Sequence, residues 1–223
     1  MNAVSDLPMY VSLAVYACVL IAGVFLYLST SSNKLSLAVW LTLFGVCLGI
    51  AFLIPKSIEM PGAMLFAFAP IVLVLVAILA GKWPFIADNF NDSYAHYFHL
   101  WRLPASFVPL WLYQAGIVPI NMTFEGLNLD IVAGLTAPVL SSLAFGQQML
   151  GRTVVLVWNV LAALLLLSSS WLVYAEMLAN TRFFDLFTSF PFAILLFALV
   201  PMSLCLHLLA VWRIWKGKMS LTD

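Results

Sequence analysis

The chain has 223 residues, 65% of them apolar and 8% charged, with a mean hydropathy of +1.10. Soluble domains are about half apolar and about a quarter charged, so these proportions exclude a water-soluble globular protein, a disordered chain and a disulfide scaffold. Nine Lys and Arg offset nine Asp and Glu, which gives no reason to expect nucleic acid; the implied partner is the lipid bilayer.

Apolar runs near the ~20 residues that a bilayer requires recur along the chain. They predict an all-α bundle of about seven transmembrane helices in a single domain, at 9–29, 35–55, 63–81, 103–120, 131–147, 153–175 and 190–212. The first run has no basic residues ahead of it and is of spanning length, so it reads as a membrane helix rather than a cleaved signal. In the second, Gly45 and Gly49 make a small-residue face suited to close helix contact, within the bundle or with a membrane partner or second copy. Cys18, Cys47 and Cys205 lie inside apolar runs with no metal-binding spacing, which predicts packing roles.

The stretch 88–101 shows helical periodicity. Phe90, Tyr94, Tyr97, Phe98 and Trp101 fall on one face, and Asp92, His96 and His99 on the other. Two readings fit: an interfacial amphipathic helix with its aromatics in the headgroup zone, or a metal site built from Asp92, His96 and His99. The fourth and fifth spans carry Pro104, Pro109, Pro119 and Pro138 and flank the polar stretch 121–130. They either cross fully or form a re-entrant hairpin, which is tolerated where protein covers it. Within that stretch Glu125, Asn128 and Asp130 are expected at an outer mouth, with Asn128 or Asp130 capping the fifth span.

Arg152 opens the sixth span, and Asn159 follows it by about 10 Å of helical rise. In the seventh span, which runs the other way, His207 precedes Arg213 by about 9 Å of rise, so Asn159 and His207 are expected to meet at equal depth. Ser203 shares the His207 face one turn away, and Arg102 opens the fourth span on the same side. Arg102, Asn159, His207 and Ser203 are therefore the candidates for a polar path, because intramembrane polar groups usually face a bundle interior.

Orientation follows from the basic residues. With the N-terminus outside, Lys34, Lys82, Arg102, Arg152, Arg213, Lys216 and Lys218 fall inside and only Lys56 and Arg182 outside, an N-out, C-in layout. No Lys lies within a predicted span, which excludes a retinal Schiff base, and no nucleotide-binding, hydrolase or zinc-protease motif is present.

The run Met122-Thr-Phe-Glu-Gly-Leu-Asn-Leu-Asp130, continued by Ile131-Val-Ala-Gly-Leu-Thr-Ala-Pro138, resembles a segment in an uncharacterised family of small multi-pass bacterial membrane proteins, as do Arg102-Leu-Pro104 and Ser189-Phe-Pro-Phe192. The resemblance covers roughly the C-terminal half. It departs at Leu127, where the family pattern has Arg, and at Ser106, where that pattern has an acid. It implies a bacterial inner-membrane location and brings no function with it.

The functional expectation is passage or sensing of a small solute, ion or lipid through a cavity in the bundle, without catalysis and with no cofactor predicted. The alternative is a structural or assembly subunit of a larger membrane complex. A third reading is an intramembrane redox subunit holding haem or metal.

Overall fold

The computed structural model describes residues 7–30, 34–53, 72, 90–219 and 221, and every regular element among them is helical. In chain order these are α1 (Met9–Thr30), α2 (Lys34–Leu53), α3 (Asp92–Tyr97), α4 (Arg102–Gln114), α5 (Asp130–Ser141), α6 (Arg152–Ala179), α7 (Thr181–Phe187) and α8 (Val200–Trp215). Among the described residues, four helices are long and apolar enough to cross a membrane: Met9–Thr30, Lys34–Phe52, Arg152–Ala179 and Leu195–Trp215. They match the first, second, sixth and seventh predicted spans. The predicted span at 63–81 lies outside the described residues.

The predicted fourth span is not among the four, and the helix found there starts earlier. A 3-10 turn, Phe98–Trp101, joins α3 to α4 without a break, so the chain forms one rod from Asp92 to Gln114 rather than a span over 103–120. Twenty-three residues at helical rise make a rod of roughly 34 Å, itself of membrane-crossing length. Pro104 explains the tight turn before it: it has no N–H to offer the carbonyl four residues back, and the preceding backbone tightens to i+3 bonding. Hydropathy places the boundary at Arg102 because a charge interrupts the apolar run. In the fold that charge is neutralised in the bundle interior, so the helix continues through it.

The rod organises the bundle, and three helices lie antiparallel against it in steady register. On α1, the Ser29 carbonyl accepts from the Asn91 N–H (2.8 Å), Phe25 stacks on Tyr97 (5.4 Å) and Tyr10 meets Trp111 edge-on (4.9 Å). On α8, Arg213 pairs with Asp92, His207 stacks on His99, and Ser203 accepts from the Trp101 indole N–H (3.0 Å). On α5, the Ser141 hydroxyl donates to the Ser93 carbonyl and lies 2.9 Å from the Ser93 hydroxyl, while Gly134 sits against the start of α4. Each step along the rod is answered by a step back along its neighbour.

This arrangement overturns the interfacial reading of 88–101. The aromatic side is covered at Phe90, Phe98 and Trp101, and the polar side is equally covered at Asp92, His96 and His99. An interfacial helix would leave its polar side in water; here Asn159 of α6 bonds His96 and Arg213 of α8 pairs with Asp92 instead.

Gly134 fixes the closest approach of two helices. A Cβ at this position would lie 2.8 Å from the Leu103 amide nitrogen and 3.2 Å from the Arg102 carbonyl carbon, both backbone atoms that have no room to yield. Gly134→Val is expected to destabilise the fold by about 1–3 kcal/mol, the usual cost of overpacking, measured as a shift in detergent-denaturation midpoint. A midpoint equal to wild type would show that α5 does not touch the rod here.

Two π turns, Ser142–Gly146 after α5 and Leu195–Leu199 before α8, lie close to Pro138 and Pro201. Each proline removes an N–H from the helical ladder, and the neighbouring widened turn is a common accommodation.

Candidate functional site

All three histidines of the chain meet in the bundle interior. His99 and His207 lie face to face, ring centroids 4.0 Å apart and planes 11° from parallel. The Trp158 ring borders His96, His99 and His207 at 5.6–5.9 Å, and its N–H is tied to the Thr136 hydroxyl (2.9 Å). Histidine position follows from helix geometry: His96 and His99 lie one turn apart on the rod, and His207 faces them because α8 runs antiparallel in the register set by Arg213 and Asp92.

Asn159 of α6 joins two of the rings. Its Nδ2 donates to the Val155 carbonyl (2.8 Å) and lies 3.0 Å from His96 Nε2, while its Oδ1 lies 3.0 Å from His207 Nδ1. The Val155 bond fixes which way the amide points, and the amide then fixes both tautomers. His96 accepts at Nε2 and so carries its proton on Nδ1, donated to the Asp92 carbonyl at 2.7 Å. His207 donates at Nδ1, so in its neutral form the lone pair sits on Nε2. An amide does not pass a proton as an imidazole does, so this chain of bonds orients the rings rather than conducting charge. His207 Nε2 and His99 Nδ1 are buried without a hydrogen-bond partner among the described residues.

Two ion pairs flank the histidines. Asp92 and Arg213 make a bidentate pair, Nε to Oδ1 at 2.7 Å and Nη2 to Oδ2 at 2.9 Å, and Arg213 also donates to the Lys218 carbonyl. On the other side Arg102, fully buried, lies 3.0 Å from Asp130 Oδ1 and donates to the Ala162 carbonyl at 2.8 Å. The guanidinium is not saturated: Nε and Nη1 have no hydrogen-bond partner among the described residues.

The predicted meeting of Asn159 and His207 is present. Ser203 lies one turn along, held by Trp101. The sequence reading placed Arg102 at the inner mouth and Asp130 at the outer one, yet the two residues touch. Gly116, at φ +69°, ends α4 in a left-handed turn; its N–H bonds the Tyr113 carbonyl and the Ile117 N–H bonds the Leu112 carbonyl. The chain then folds back along the rod, burying Ile117, Val118, Met122 and Thr123. Asp130 therefore enters α5 at the level of Arg102, mid-rod, and is buried rather than at an outer mouth.

Local bonding shapes this returning segment. The Thr123 hydroxyl accepts from the Glu125 N–H, and Asn128 donates to the Met122 carbonyl (3.0 Å). Asn128 also accepts from the Asp130 N–H (3.3 Å), satisfying one free amide at the start of α5, but the capping position is Leu129, with no side-chain cap, so neither Asn128 nor Asp130 caps the helix as predicted. Gly126 is required because a Cβ there would collide with the Ile120 carbonyl oxygen. Glu125 is exposed and takes no part in the buried cluster.

Asp92, His96 and His99 do not converge on one point. The Asp92 carboxylate is occupied by Arg213, both His96 nitrogens are bonded, and His99 stacks on His207. Among the described residues no group of three or more His, Cys, Asp or Glu is placed to hold a metal ion. The face-to-face rings of His99 and His207 likewise leave no space for a macrocycle between them.

A crevice of about 70 Å³ lies beside this centre, between α4, α6 and the π turn before α8, with Asn128 and Asp130 at one end. The sequence reading does not point to it, because Ser106 and Ser169, which line it with Ser170, carry no distinctive spacing.

The fold thus defines a helical-bundle protein with several helices of membrane-crossing length and a polar interior. Compared with protein-family models, with curated proteins and with solved structures, the chain matches none.

Proposed function

We propose that this protein is a multi-pass protein of a bacterial inner membrane, about seven spans with its N-terminus outside, that recognises a small solute, ion or lipid for passage or sensing. The observation that carries this reading is the crevice reaching Asp130, whose partner Arg102 is buried with two of its nitrogens unbonded among the described residues. A bundle held only for packing has no need of a fully buried charge, since apolar side chains of similar volume serve at least as well. Intramembrane charges mark ligand and ion sites more often than scaffolding. The histidine–asparagine network supports the same reading by holding the rod, α6 and α8 in one arrangement around the pair.

The test is chemical access to Ser106, on the crevice wall. In a background with Cys18, Cys47 and Cys205 replaced, Ser106→Cys is expected to react with the small uncharged reagent methyl methanethiosulfonate in lipid nanodiscs. Glu125→Cys, on the exposed loop, serves as the fully reactive control. Failure of Ser106→Cys to react while Glu125→Cys goes to completion would refute the reading.

That failure would favour a structural or assembly subunit. One observation supports this second reading: Gly45 and Gly49 of α2 have nothing among the described residues within 4 Å of where a Cβ would stand. A small-residue face of this kind accepts a second helix closely.

A further inference from the structure

The walls of the crevice beside Asp130 are apolar at Leu166, Val173, Phe187, Leu195 and Leu196, and its polar groups are alike in one respect. Apart from one amide hydrogen of Asn128, each has already committed its hydrogens. The Ser106 hydroxyl donates to the Arg102 carbonyl (2.7 Å), and the Ser169 and Ser170 hydroxyls both donate to the Leu166 carbonyl (3.0 and 2.7 Å). The Trp101 N–H is taken by Ser203, and Asn128 gives one amide hydrogen to Met122. What the lining still offers is lone pairs, on three hydroxyl oxygens and the Asp130 carboxylate; the second amide hydrogen of Asn128 is the one remaining donor.

Such a lining selects a donor. A carboxylate or phosphate head would set its own lone pairs against those of the wall, leaving buried acceptors unpaired on both sides. A cation would lose its hydration without gaining a free counter-charge, because Asp130 is already paired with Arg102. A neutral hydroxyl meets neither penalty. Size and access narrow the ligand further. Since an apolar cavity of about 150 Å³ holds a benzene-sized molecule, a space of about 70 Å³ takes a hydroxyl and a short piece of alkyl chain. The remainder must lie outside. The crevice opens where Ala105, Ser170, Val173 and Val200 are only half-buried, and the neighbouring α6 positions Leu167 and Trp171 are exposed and apolar. On a membrane-length helix that surface faces hydrocarbon.

We infer that the crevice binds the hydroxyl head of an aliphatic alcohol that enters from the bilayer, with the hydroxyl donating to Asp130 and the chain leaving between α6 and the π turn. This rests on the recognition role proposed above and names its ligand class.

The experiment uses the full chain in phosphatidylcholine nanodiscs with three long-chain probes, each carrying a diazirine near its head: a primary alcohol, its methyl ether and the corresponding carboxylic acid. The alcohol is expected to crosslink to residues 166–173 and 195–200 about fivefold more than the ether or the acid, the ratio that one net hydrogen bond supplies. Ser170→Trp, which fills the crevice, is expected to remove that excess, and Leu196→Trp made in parallel covers failure of the first variant to fold. Equal labelling by ether and alcohol, or an excess that survives both folded Trp variants, would overturn the inference. If Ser106→Cys is reactive yet the ether matches the alcohol, the ligand class is wrong and the recognition role stands; if Ser106→Cys is closed, both fall.

Discussion

Asp130→Asn is expected to destabilise the folded protein by about 3–5 kcal/mol, because it leaves the Arg102 guanidinium buried without its counter-charge. Arg102 is fully buried and its carboxylate neighbour is 3.0 Å away. The Ala162 carbonyl, its other contact, is a dipole and cannot replace a full charge. The double variant Arg102→Leu/Asp130→Leu removes both charges and is expected to recover most of that loss, since buried ion pairs replaced by packed apolar side chains are often neutral or more stable. Denaturant midpoints in detergent, compared across wild type, Asp130→Asn and the double variant, measure the effect. Equal midpoints for Asp130→Asn and wild type would mean that the carboxylate does not hold Arg102. The same series separates stability from recognition: a stable double variant that no longer labels with the alcohol probe assigns the pair to the ligand.

Asn159→Leu is expected to have the second largest effect. The amide bonds both His96 and His207, and since each buried group left unpaired costs about 1–3 kcal/mol, the expected loss is about 2–4 kcal/mol. Because the bond between Asn159 Nδ2 and His96 Nε2 is lost in either single variant, Asn159→Leu/His96→Leu is expected to cost less than the two single changes added together, the mark of residues sharing a bond. Additive losses would show that the two side chains act separately. NMR of ring-labelled histidine gives an independent readout: in wild type the proton of His96 is expected on Nδ1, bonded to the Asp92 carbonyl, and in Asn159→Leu that tautomer is no longer enforced from the Nε2 side.

Much of the architecture is legible in the sequence because apolar run length is a strong signal in a chain with so few charges. Four of the predicted spans correspond to helices of crossing length. Asn159 and His207 are paired by depth alone, since helical rise is constant. The failures have a common cause. Arg102 breaks the hydropathy of the fourth span, so its boundary is drawn there, although the fold buries the charge and continues the helix to Asp92. That single displacement also assigns His96 and His99 to an interface and separates Asp130 from its partner. Pairing of Arg102 with Asp130 depends on the turn at Gly116 and the absence of a side chain at Gly134, and neither leaves a periodic trace. The sequence distinguishes a charge from its surroundings; it does not say which charges cancel.

The most direct test of a ligand site built on the Arg102–Asp130 pair is an experimental structure of the protein in lipid nanodiscs. The account predicts the Arg102 guanidinium at ion-pair distance from Asp130, with non-protein density in the crevice beside Ser106 running out between α6 and the π turn. A closed crevice, with Leu196 packed against Ser106 and Asp130 sealed from any such density, would contradict it.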